Sequence, residues 1–348
     1  MKTQSFVLTI GVVLLSIGIG MGMLSNAQDA SGKGEEMQAA DYRVSGPYTH
    51  DNLTIFLVHG TARVTGKNFL PLQEALAQKK VVVYETKDVN ELAIENRSAE
   101  DVYVQSGDIV KGGQQDRMMA VDLIVPPKSG RMRIAAFCVE SGRWSGRGTE
   151  QAAVFTSSAD VASAKEIKLA AKVSNSQGDV WKNVTATQDK LSANVGERVN
   201  SVVSESSLQL ATENRKVQAN ADNYIKELSH IVYTKDNIIG YVFAINGKLN
   251  SADIYASSAL FRSLWPKLLK ASAIEAIAEL RAGQKFEPVT EENVQVFLSE
   301  AEKGNASEKE VTARIKLVTR ESDQNVFFET RDRAQKDAWV HRNYIRKN

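Results

Sequence analysis

The sequence predicts an α+β fold: an antiparallel β-rich N-terminal half, sandwich or barrel-like, with packed amphipathic helices and further strands in the C-terminal half. Three observations predict it. Short apolar runs with β-formers recur from Leu53 to Val139, punctuated by turn clusters with Ser98, Gly107, Gly112-Gly113 and Pro126-Pro127. Apolar residues then recur at about helical spacing, at Val184, Leu191, Val195, Val199, Val202, Leu210, Val217 and Leu228. A closing set of strand-like runs follows, so strands, helices and strands alternate in blocks rather than singly.

Taken in order, residues 1–27 read as a secretory signal, with Lys2, an apolar stretch from Phe6 to Leu24 and the small-residue site Ser25-Asn26-Ala27. An uncleaved anchor is the competing reading, but Gly11, Gly18, Gly20 and Gly22 weaken a spanning helix. Cleavage after Ala27 predicts an extracytoplasmic protein, periplasmic or secreted, with no stable membrane span. No cysteine follows the apolar stretch, so a lipid anchor is not expected. Residues 28–45 are poor in apolar side chains and predict a flexible tether. Residues 46–285 form the main domain, and residues 286–348 a strand-rich extension packed on it.

Within the main domain, strands are expected at 53–58, 81–84, 89–94, 102–105, 118–125 and 132–139. The periodic stretch 184–228 implies one long or two shorter amphipathic helices packed on the sheet. Residues 238–245 and 252–255 flank Asn246-Gly247, the strongest short hairpin signal. A helix over 258–280 is expected in two pieces, interrupted at Pro266. After a polar stretch, strands are expected at 313–319, 326–330 and 339–345.

Charge and cysteine usage exclude several classes. The chain has 43 Lys and Arg against 42 Asp and Glu, and losing Lys2 with the signal leaves the two equal, so a nucleic-acid partner is not expected. Cys138 is the only cysteine, so no intramolecular disulfide can form. The four histidines, His50, His59, His230 and His341, have no metal-ligand spacing, and no metal site or cofactor is predicted. Phe56-Leu57-Val58-His59-Gly60 imitates an oxyanion-hole strand, but no Gly-x-Ser-x-Gly occurs; in Gly142-Arg143-Trp144-Ser145-Gly146 the serine is one place late. Gly60 to Gly66-Lys67-Asn68 imitates a phosphate loop, with one residue too many and Asn68 where a hydroxyl belongs.

One constellation remains. Glu95-Asn96-Arg97-Ser98, the stretch 107–117 and the stretch 140–148 are polar turns between neighbouring strands. If those strands pair, Lys111, Gly112, Gly113, Gln114, Arg117, Arg143, Trp144 and Arg147 converge. Arginine forks and glycine amides suit a carboxylate or phosphate, and Trp144 suits a planar ring. The alternative is structural: the glycines permit tight turns, Arg117 and Arg143 pair with Asp116 and Glu140, and Trp144 caps the core.

The runs Val89-Asn90-Glu91-Leu92, Glu95-Asn96-Arg97-Ser98, Val110-Lys111-Gly112-Gly113-Gln114-Gln115-Asp116-Arg117, Val125-Pro126 and Cys138-Val139-Glu140-Ser141-Gly142-Arg143-Trp144 resemble the bacterial ARG and rhodanese-phosphatase-superfamily-associated protein domain family. Gln177-Gly178-Asp179-Val180-Trp181, Ala244-Ile245-Asn246-Gly247-Lys248 and the stretch 260–269 are similar to its second block, so the likeness spans about 53–280. The resemblance implies a bacterial source and neighbours acting on ADP-ribose or phosphate groups, but supplies no activity or catalytic residue.

The expected function is thus an exported module binding a small anionic or nucleotide-like ligand. An envelope structural or protein-interaction domain is the second reading. The weaker third is hydrolysis by Cys138 with His59 as base, since nothing local marks the thiol as activated.

Overall fold

The computed structural model describes residues 39–62, 69–162 and 164–348. The signal segment, tether residues 28–38 and the Gly66-Lys67-Asn68 stretch lie outside the described residues. The chain begins with β1 (Arg43–His50), β2 (Leu53–His59), β3 (Leu70–Pro71), α1 (Leu72–Ala77), β4 (Val81–Glu85) and β5 (Glu91–Asn96). There follow β6 (Val102–Val104), β7 (Asp108–Gly112), β8 (Arg117–Met119), β9 (Leu123–Val125), β10 (Arg131–Cys138) and β11 (Phe155–Val161). Helices come next: α2 (Lys165–Lys172), α3 (Gln177–Val195), α4 (Leu208–Thr212) and α5 (Arg215–Leu228). The hairpin β12 (Ile238–Ile245) and β13 (Lys248–Tyr255) leads to α6 (Ser258–Ala278) and α7 (Glu291–Ala301). Four strands close the chain: β14 (Asn305–Glu310), β15 (Ile315–Glu321), β16 (Asn325–Asp332) and β17 (Ala338–Arg346).

The fold is α+β. In the N-terminal half the order β11-β7-β8-β10-β5-β4 makes an antiparallel sheet. It is nearly closed into a barrel, because Tyr84 on β4 bridges Val154 just ahead of β11. A small sheet β3-β6-β9 adjoins it. The larger sheet runs β1-β2-β12-β13-β17-β16-β15-β14, so the last four strands of the chain supply half of it and β17 lies in its interior. Ala39 and Tyr42, in the stretch expected as tether, are buried, and the backbone N–H of Ala39 donates to Glu302. Among the described residues no helix is long and apolar enough to cross a membrane.

Several local expectations need correction. The stretch 118–125 is not one strand: β8 and β9 belong to different sheets, parted at Ala120–Asp122, where Asp122 turns into the core. The stretch 184–228 gives α3 and α5 with a short α4 between them, and Val202 is 97% exposed because the chain leaves the helix at Gly196 in the left-handed region. Helix α6 is not broken at Pro266 but runs through it. Proline there removes one i→i−4 bond, yet fourteen of the helix's residues are buried, and that packing outweighs the local defect. Helix α7 and strand β14 occupy what reads as a polar stretch.

The strand alternation of the large sheet matters most for function. Tyr255, His341 and Thr330 are cross-strand neighbours on β13, β17 and β16, and Tyr241, Asp253, Asn343 and Phe328 form the adjacent row on the same face. Tyr241 stacks with Phe261 and meets Trp265 edge-on, which places α6 over this face. Helix α2 covers the Phe328 end, where Leu169 and Val173 pack on Phe328, Val326 and Ile345.

Candidate functional site

The predicted turns do meet. The hairpin from β7 to β8 and the loop after β10 come together through Arg143, whose Nη1 donates to Gly113 O at 3.1 Å and whose Nη2 donates to Gly112 O at 3.2 Å. Gly113 has φ +55°, and a Cβ there would lie 2.3 Å from the ring of Phe155, so only glycine fits.

The arginines face protein carboxylates. Arg143 Nε and Nη2 form a fork on Glu140 at 2.7 Å each, and its remaining N–H donates to Ser145 O. All five of its donors are occupied within the protein. Arg147 forks onto Asp116 at 2.6 and 2.8 Å and onto Glu150 at 2.9 and 3.2 Å, with Ser207 closing the set. Arg117, fully buried, pairs with Glu85 at 3.2 Å and donates to Val89 O at 2.7 Å and Cys138 Sγ at 2.8 Å. Lys111 pairs with Glu213. Burial pushes the Asp116 carboxyl upward against the pull of Arg147; burial also works on Glu140, but the Arg143 fork holds that group below its usual range. Gln114 uses its backbone N–H on Glu85, and Trp144 is 54% exposed, so it does not cap the core.

Other residues of the motif complete the same network. Gln177 brackets the backbone of Cys138, accepting from its N–H and donating to its carbonyl at 2.8 Å each, and Trp181 Nε1 donates to Glu140 O at 3.1 Å. Cys138 itself is fully buried, and burial pushes its thiol up to about 11 despite Arg117 beside it. His59 is bonded to Ser45 and to Asp236 O, tying β1 to the β12 end.

Sequence reading missed a second cluster, at the seam between the two halves. His341 Nδ1 lies 2.7 Å from Asp122 Oδ2, and its Nε2 lies 3.0 Å from Asp253 Oδ1. Asp122 also accepts from Thr330 Oγ1 and from Ser106 N–H at 2.7 Å each, and Asp253 accepts from Asn343 at 2.9 Å. Burial alone would lower the imidazole pKa, but the two carboxylates override it and hold His341 at about 9. The ring is therefore an imidazolium at neutral pH. Tyr255 stacks on it with centroids 4.5 Å apart, a cation–π arrangement.

Helix α2 faces this cluster. Its sequence places Lys165, Lys168 and Lys172 on one stripe, opposite the buried Ile167, Ala170 and Ala171. Lys172 Nζ donates to Asn343 at 2.9 Å and sits 3.8 Å over the Phe328 ring, and burial brings its pKa down to about 8. Lys168 reaches a cavity of about 10 Å³, the size of one water molecule, shared with Gln105, Tyr241, Asp253 and His341. Oε1 of Gln105 is buried there without a partner, and the nearby hydroxyls of Tyr103 and Tyr255 are orphaned as well.

On the other side of Lys168 lies Glu275 of α6. It accepts from Lys165 N–H at 3.0 Å and from Asn250 Nδ2 at 2.8 Å, and burial raises it to about 7 although Lys168 opposes the shift. Glu275 forms the floor of a recess of about 190 Å³ with Lys165, Glu166, Lys248 and Arg281 around it. A polar layer thus runs beneath α2 from this recess to His341.

A model of the ARG and Rhodanese-Phosphatase-superfamily-associated Protein domain matches residues 41–345. The chain belongs to this family. The match takes in β1 and the closing strands, which the motifs between 53 and 280 leave out, so the eight-stranded sheet lies inside the family's domain. No curated protein and no solved structure matches the chain.

Proposed function

We propose that the protein is an exported binding module for a small anion, held in the recess beneath α2. The observation that carries this reading is charge without a partner. Among the described residues, Lys165, Lys248 and Arg281, which line the recess, and Lys168, which lines the small cavity beside it, have no carboxylate on their side-chain nitrogens, whereas Asp122 and Asp253 are engaged on His341 and Glu279 on Lys190. Glu275, with its pKa of about 7, is about half protonated at neutral pH, and Glu166 and the terminal carboxylate of Asn348, which also lines the recess, offset two cations of the four. A carboxylate or phosphate entering the recess gains charge-assisted hydrogen bonds that no protein group now makes. Its volume is below the roughly 300 Å³ at which pockets for larger organic ligands begin, which favours phosphate, sulfate or a short dicarboxylate over a nucleotide.

Thermal-shift titrations with phosphate, sulfate and succinate test the reading. A ligand at 100 times its dissociation constant adds about 2.7 kcal/mol of stability. Lys165→Met, at a cation that lines the recess, removes a charged hydrogen bond worth about 1.5–3 kcal/mol and lowers affinity tenfold or more. Absence of any shift in the wild type, or full affinity in Lys165→Met, overturns the proposal. Export is tested separately, by fractionating cells that express the full chain and sequencing the N-terminus, which should begin at Gln28.

A second reading, an envelope scaffold, is favoured by the arginine cluster, whose forks hold protein carboxylates and whose rim leaves Trp144, Val202 and Val203 exposed.

A further inference from the structure

An anion drawn into the recess beneath α2 meets a carboxyl group on its floor. Glu275 lines the recess from α6 and keeps 3% of its surface accessible. Its two protein donors fall on one oxygen: the Lys165 backbone N–H at 3.0 Å and Asn250 Nδ2 at 2.8 Å both reach Oε1. Oε2 receives no hydrogen bond from the described residues and is not one of the buried orphan atoms, so it is the oxygen open to the recess. An oxygen that accepts two N–H bonds is the carbonyl end of a neutral carboxyl, and the proton then sits on Oε2, where it can be donated.

The charged groups around Glu275 are mixed in sign. Helix α2 brings Lys165, Glu166 and Lys168, and β13 brings Lys248. The C-terminal end of α6 brings Glu279, already paired with Lys190 of α3, and Arg281 follows it; the terminal carboxylate of Asn348 completes the rim. Tyr241 of β12, within electrostatic reach, is neutral because burial holds its hydroxyl well above its ordinary range. With Glu275 neutral, four cations stand against two carboxylates, those of Glu166 and Asn348, an excess of two. Ionising Glu275 halves that excess and sets a negative charge against any anion on the floor, and two like charges sharing one small site force one of them to hold a proton.

Building on the anion reading of the recess, we propose that Glu275 is itself a binding residue: the site takes up its anion together with one proton, which stays on Glu275 Oε2 and is donated in a hydrogen bond to an oxygen of the ligand. The proton comes from solvent and no bond of the ligand breaks. A fully ionised oxyanion, which offers acceptors only, is the ligand class that complements this O–H, and an O–H···O⁻ bond is among the strong ones.

Sulfate is the probe, because it does not itself titrate between pH 6 and 8. With the free carboxyl at about 7, the protonated fraction falls from about nine-tenths at pH 6 to about one-tenth at pH 8, so wild type should bind sulfate about tenfold more weakly at the higher pH. Calorimetry at pH 7 in two buffers of different ionisation enthalpy should show uptake of about half a proton per sulfate. Glu275→Gln places a permanent N–H donor at the Oε2 position. It should take up no proton and bind sulfate about tenfold tighter than wild type at pH 8, with similar affinity at pH 6. The difference between the two proteins is the measure, since Lys172 and His341 titrate at about 8 and 9 in both. Parallel pH dependence in the two proteins overturns the proposal, and absence of proton uptake by wild type at pH 7 does so whether or not the variant folds; in either case the anion site itself stands. Failure of wild type to bind sulfate even at pH 6 overturns the anion site and the role of Glu275 with it.

Discussion

Raising the pH should dismantle the buried imidazolium of His341, and the size of the loss can be worked from the structure. His341 is 2% exposed and lies between Asp122 at 2.7 Å and Asp253 at 3.0 Å. Its pKa stands at about 9 against an ordinary 6.5. A folded-state pKa raised above the unfolded one contributes stability that is complete below pH 6.5 and is lost as the pH rises through 9. At 1.36 kcal/mol per pKa unit the contribution is about 3 kcal/mol. Lys172 acts in the opposite sense: its folded pKa is depressed to about 8 from 10.5, so it adds stability as the pH rises between those values. The comparison therefore needs a reference lacking only the imidazole. Urea unfolding of wild type and His341→Gln at half-unit steps from pH 6 to 10 should show the wild type losing about 3 kcal/mol more than the variant. Parallel curves would refute the charged-pair reasoning, as would an NMR titration placing the His341 ring near 6.5.

Three further outcomes are expected. Arg143→Ala strands the buried Glu140 carboxylate and should cost about 3–5 kcal/mol in a melting or urea experiment, with Arg143→Lys recovering little because an ammonium cannot reproduce the fork; affinity for any anion bound beneath α2 should be unchanged. Glu275→Gln should leave stability nearly unchanged below pH 4.5 and raise it relative to wild type as the pH passes 7, by up to about 3 kcal/mol, since the wild-type carboxyl with its pKa of about 7 loses stability over that window; melting curves at pH 4 and 8 measure the difference. Cys138 should react with iodoacetamide only on the timescale of unfolding, followed by mass spectrometry, because its thiol is buried and pushed up to about 11.

Where local chemistry decides structure, the sequence was legible. Asn246-Gly247 predicts a two-residue hairpin turn, and both residues have positive φ, 53° and 70°, between the paired β12 and β13. Helix α7 carried a readable signal that its acidic surroundings concealed: Thr290 and Asn293 form a capping box, and Val294, Phe297, Leu298 and Ala301 make its buried stripe. Strand β14 had no such signal. All six of its residues are exposed and all but Ala306 are polar, so it is a strand only because β15 pairs with it. Pro266 misled for the opposite reason, since a local rule was overruled by burial along the whole of α6. The His341 cluster could not be read locally at all: Asp122 and Asp253 are separated from His341 by 219 and 88 residues, and only strand register brings them together.

The two charged clusters differ in how their charges are met. Of the structural pairings weighed for the motif, Arg143 with Glu140 forms, whereas Arg117 pairs with Glu85 and Asp116 with Arg147; Glu85, Asp116, Glu140 and Glu150 outnumber the three arginines, and two of those acids belong to the same runs as the arginines. Once neighbouring strands pair, the shortest route to neutrality for each guanidinium is the acid beside it, and the buried network that results stabilises the turns instead of leaving donors free. Helix α2 has the reverse arithmetic. Three lysines share one stripe of a helix with a single acid, Glu166, and the acids across the seam are either bound to His341 or, in Glu275, about half protonated at neutral pH through burial. Excess charge that the fold does not neutralise, rather than the density of arginine in a motif, is what places the anion site beneath α2 in the reading proposed above.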